Sequence, residues 1–145
     1  MHVVGHDEIS VQPEQPIVIG YGEKLICSRS WRTGQQGRAF GITIQPYFFE
    51  RFASLVDDDG LDLLQTYLEP GLHSSQLPWS WKIVEIAQST LTQPYSGGLR
   101  ALHREAQALR FLVETVALLQ EERQIVARIG RRYYCLLYTS PSPRD

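Results

Sequence analysis

The chain has 145 residues yet only two cysteines, Cys27 and Cys135. They lie far apart, in segments of different character, which excludes the disulfide framework that staples small secreted domains. Cys27 reads instead as a small buried residue of a strand. Long apolar runs are missing as well. No window approaches the roughly 18 uninterrupted apolar residues of a membrane helix, and Met1-His2-Val3-Val4 lacks the basic-then-apolar layout of a secretory signal. No membrane partner is expected, and a cytoplasmic location follows by default. Positive charge is not in excess: with a formal net charge of −2 and a pI near 6.1, the chain has no global attraction for nucleic acid or an anionic surface.

Clustered reactive groups are equally scarce. His2, His6, His73 and His103 are scattered, and although His2 and His6 have the spacing of a helical metal pair, they fall where a strand or loose terminus is expected. Asp57-Asp58-Asp59 neither alternates ligands with spacers nor leads to a bidentate glutamate, so it is not a calcium loop. No serine sits in a nucleophile elbow, and no phosphate-cradling glycine loop precedes a helix. Neither an enzyme, a cofactor nor a bound metal is expected. His103 and Glu105 read as polar-face residues of a helix. Tyr95 and Trp79, beside helix starts, read as core packing in preference to a pocket lining.

What the chain does have is an ordinary globular composition, 43% hydrophobic and 21% charged, suited to one domain with a modest core. Its strongest pattern is the stretch Leu99 to Ile129, introduced by Gln93-Pro94-Tyr95-Ser96-Gly97-Gly98. Leu99, Leu102, Ala106, Leu109, Leu112, Val113, Val116 and Leu119 recur at helical steps, while Arg100, Arg104, Gln107, Arg110 and Glu114 fall elsewhere. Pro94 disfavours helix at Gln93 and Ser96 can cap free N–H groups, so the spacing predicts a start near Ser96 or Gly97. Gln120-Glu121-Glu122-Arg123-Gln124 is continuously polar and predicts a break or frayed turn. The apolar stripe needs a partner, either the rest of its own domain or the same helix of a second chain, parallel or antiparallel. For the second case Leu102, Leu109, Leu112 and Val116 are the candidate contact residues.

Before this helix, residues 3–43 read as short strands. Ile9 and Val11 alternate with polar residues, Ile17-Val18-Ile19 leads into the turn Gly20-Tyr21-Gly22-Glu23, and Leu25-Ile26-Cys27 makes another apolar run. Trp31 to Gly37 reads as a loop. Phe40, Ile42 and Ile44, alternating with Ala39, Gly41 and Thr43, predict the best strand of all. So few short strands leave edges unpaired and do not close a barrel alone. From Pro46 the period changes: Tyr47, Phe48, Phe49, Phe52, Leu55 and Val56 form an aromatic-rich helix face ended by Asp57-Asp58-Asp59-Gly60. A second short helix runs from Leu61 to Leu68 until Glu69-Pro70-Gly71. Trp79-Ser80-Trp81 opens a third, with Ile83, Val84, Ile86, Ala87 and Leu91 on its apolar side.

This order, with the Gly34-Gln35-Gln36-Gly37 turn, Ile44-Gln45-Pro46 and the long-helix opening, resembles the effector-binding part of AraC/XylS-type transcription regulators, in the branch that includes siderophore-responsive regulators. Pro94, Tyr95, Gly97, Leu99, Leu102, Glu105, Ala106, Ala108 and Leu109 fit that branch's motif, while Arg110 and Phe111 replace its usual acidic residue and leucine. The resemblance spans Val4 to Leu119 and is carried by the helix motif rather than the strands. It implies an α+β fold, a partial cupin-like antiparallel β-sheet followed by short helices and one long amphipathic C-terminal helix. Residues 1–45 would be a partial cupin-like sensor segment and 46–130 a helical linker and dimerisation segment. Residues 131–145 would be a disordered, non-native tail, since Cys135 to Asp145 looks like translated adapter sequence; a genuine Pro/Ser-rich tail is the alternative.

The implied partners are a small-molecule effector, a second copy of the chain, and DNA only through a pair of helix-turn-helix units that does not fit within these residues. The chain is therefore expected to be a fragment of a DNA-binding transcription regulator, without its DNA-binding domain and without the earliest barrel strands. A free-standing cupin-like module that binds a small molecule, with no DNA-binding activity, is the alternative.

Overall fold

Among the described residues of the computed structural model, the element order is β1 (His2–Val3), β2 (Ile17–Tyr21), β3 (Cys27–Ser28), α1 (Tyr47–Phe52), α2 (Asp59–Gln65) continued by a 3-10 turn (Thr66–Leu68), β4 (Leu72–Gln76), α3 (Trp81–Thr92) and α4 (Gly97–Thr139). The structure describes residues 2–3, 8–22, 27–28, 30, 32–52 and 59–139, apart from the side chains of residues 2, 3, 27, 52, 59, 60 and 131–139. His6, Leu25-Ile26, Trp31, Leu55, Val56, Asp57, Asp58 and residues 140–145, which figure in the expectations above, lie outside the described residues. The fold is α+β.

The β-branched run Ile17-Val18-Ile19 forms β2, and its partner is β4, antiparallel, with Ile17 opposite Gln76 and Tyr21 opposite Leu72. The ladder is extended at both ends, by Leu77 N–H donating to Pro16 O at 2.9 Å and Gly22 N–H donating to Gly71 O at 3.2 Å. β1 and β3 form a second antiparallel pair. The run Leu72-His73-Ser74-Ser75-Gln76 gives no strand pattern of its own, so its conformation follows from pairing with β2. Gly20 must be glycine: a Cβ there would collide with the backbone carbonyl of Tyr67, whose residue lies across β2. Tyr67 is held on the sheet by its hydroxyl, which donates to Ser75 Oγ at 2.7 Å.

Two predicted strands are not formed. Ile9 and Val11 belong to an irregular segment in which Ile9 is buried and Val11 exposed. Residues 35–45 likewise carry no strand, yet the burial alternation is kept: Phe40, Ile42 and Ile44 are half-buried while Ala39, Gly41 and Thr43 are exposed. Ile42 and Ile44 pack on the core, and Phe40 meets Phe111 of α4 edge-on at 4.9 Å between ring centroids. The apolar face was legible; a ladder additionally requires a neighbouring strand, and among the described residues none pairs with this segment.

The core joins the sheet and short helices to the middle of α4. Leu64, Leu77, Leu112 and Leu119 are buried together, with Val18, Phe48, Phe49, Leu61 and Val116 packed against them. Ser80 caps α3, with its Oγ accepting from Ile83 N–H at 3.5 Å. Ile83 and Ile86 are buried, whereas Leu91 at the end of the predicted apolar side is exposed.

The expected break in α4 is absent. The helix runs 43 residues, about 65 Å, from Gly97 to Thr139 and passes through Gln120–Gln124 without interruption. Glutamine, glutamate and arginine are strong helix formers, so the polar run marks where α4 leaves the body rather than where it ends. Residues 121–130 are all exposed. The helix backbone also continues across residue 131, where a disordered tail was expected to begin.

Candidate functional site

The start of α4 is built by the turn that the Pro-Tyr-Ser-Gly run encodes. Gln93 Oε1 accepts from Tyr95 N–H at 2.7 Å, and Arg100 Nε donates to Tyr95 O at 2.9 Å. Gly97 has φ +56°, a left-handed conformation that glycine adopts without strain. These contacts fix the angle at which α4 folds back along α3.

Between the two helices lies a small polar junction. Gln107 is buried; its Nε2 donates to Ser89 Oγ at 2.9 Å and lies 3.3 Å from His103 Nε2, while its Oε1 accepts from Arg110 Nη1 at 3.3 Å. His103 Nδ1 is buried and has no hydrogen-bond partner among the described residues. Tyr95 lies against the His103 ring at 5.2 Å between centroids. At the other end of the junction Lys82 and Glu114 form an ion pair at 3.8 Å. Gln107 and Glu114 thus do not belong to a solvated face: Gln107 is buried and Glu114 half-buried. The expected core packing of Tyr95 and Trp79 is not found either, since they are 44% and 60% exposed. Both precede a helix on the solvent side, where Tyr95 finds His103 instead of the core.

The larger feature is the opposite side of α4. Each residue advances about 100° around a helix, so Leu99, Leu102, Ala106, Leu109 and Val113 share a sector of about 80°, whereas Leu112, Thr115 and Leu119 centre about 130° away. Burial follows this division. Leu112, Thr115 and Leu119 are buried, and Leu99, Leu102 and Val113 are each 65% exposed with Leu109 at 47%. What reads as one stripe in the sequence is therefore two apolar faces. Of the four candidate contact residues, Leu102 and Leu109 lie together on the outer face, Leu112 is in the core, and Val116 is half-buried at the edge between them. Ile125, Val126 and Ile129, beyond the body, are exposed as well.

The outer face is a row of exposed apolar side chains about 21 Å long on one helix. The polar junction holds α3 and α4 together and positions that row. Among the described residues, no group of three or more histidine, cysteine, aspartate or glutamate side chains is arranged to hold a metal ion. No helix is long and apolar enough to cross a membrane, again among the described residues.

A family model described as the regulatory protein PchR N-terminal domain matches residues 1–129. Neither a curated protein nor a solved structure matches the chain.

Proposed function

The chain belongs to the regulatory protein PchR N-terminal domain family, and from that premise we propose that it is the sensing and pairing region of an AraC-type transcription regulator that acts in the cytoplasm. The single observation that carries this reading is the family match, which runs from the first residue through most of α4. In the proposal, residues of the sheet region contribute to a cupin-like site for a small-molecule effector. The chain performs no catalytic step and requires no cofactor.

The effector acts by binding one arrangement of the regulator better than another, because only differential affinity shifts such a balance. α4 suits the transmission step. Its middle is packed on the sheet and short helices through Leu112 and Leu119, its outer face offers Leu102 and Leu109 to a second copy, and its far end leads away from the body. A displacement at the core is thereby conveyed along one rigid element. DNA contact falls to helix-turn-helix units elsewhere in the whole regulator.

Reading the source DNA beyond the coding segment tests this directly. The expected result is an in-frame continuation encoding two helix-turn-helix units. A continuation without them refutes the assignment to a DNA-binding regulator.

A further inference from the structure

We draw no further inference here: the strongest candidate, the polar cluster of Ser89, His103, Gln107 and Arg110 between α3 and α4, belongs to the site already described, and nothing among the described residues points to a ligand for the buried His103 Nδ1.

Discussion

Replacing Leu112 with alanine removes side-chain atoms that are only 7% exposed and packed with Leu64, Leu77 and Leu119. Such a change costs about 2–5 kcal/mol, more when the neighbours cannot relax into the space left behind. Here relaxation is limited. Leu77 is tied to the sheet by its backbone bond to Pro16, and Leu119 is carried two turns further along the same helix. A loss of about 3 kcal/mol is expected, a large part of a total stability of about 5–15 kcal/mol, and at about 3 °C per kcal/mol it lowers Tm by about 10 °C. Leu109→Ala is the matched control. Leu109 is 47% exposed, so the same truncation costs less than about 1 kcal/mol in the single chain. Urea unfolding of both variants, at concentrations low enough to keep the chains apart, makes the comparison. Equal losses, or a greater loss at Leu109, refute the assignment of Leu112 to the inner face and Leu109 to the outer one.

Gly20→Ala forces a methyl group against the Tyr67 backbone; β2 or the 3-10 turn must shift, and a loss of about 1–3 kcal/mol in chemical denaturation is expected. Gln107→Ala deletes the amide that Ser89, His103 and Arg110 share, and stability falls by about 1–3 kcal/mol. The loss is expected to persist in a Ser89→Ala background if His103 and Arg110 carry part of the contact, which a double-mutant cycle measures. Tyr67→Phe removes one part-buried hydroxyl bond to Ser75, for a loss of about 1 kcal/mol by urea titration.

The helical part of the fold was legible because its signals are local. Pro46, Trp79-Ser80-Trp81 and the Pro94-to-Gly98 run place the starts of α1, α3 and α4, and none of these depends on what lies across the core. The strands were less legible because pairing is not local. Leu72–Gln76 lacks the branched and aromatic residues of a strand, and its pairing with β2 joins segments separated by two helices. Residues 39–44 have the alternation but no ladder partner among the described residues, so the period gave the buried face without giving the element.

The candidate site was half legible for a geometric reason. Leu112 and Leu109 are only three residues apart, yet they fall on opposite sides of the boundary between a buried and an exposed sector. A list of leucines at helical steps contains both faces, and only the position of the body separates them. Two strictly alternating subsets, the three-four run from Leu99 and the buried set Leu112, Thr115 and Leu119, would have signalled the division. Gln107 was hidden differently: a polar residue off the apolar stripe reads as solvated, and its burial is created by Ser89 on the adjacent helix.

Concentration-dependent sedimentation of the full chain beside its Leu109→Asp variant tests the central assignment most directly. The unmodified chain is expected to form a reversible dimer, and the variant to remain monomeric with unchanged far-UV circular dichroism. A wild-type chain that stays monomeric, or a Leu109→Asp variant that loses its fold, contradicts the account of α4 as a helix with one face for its own core and another for a second copy.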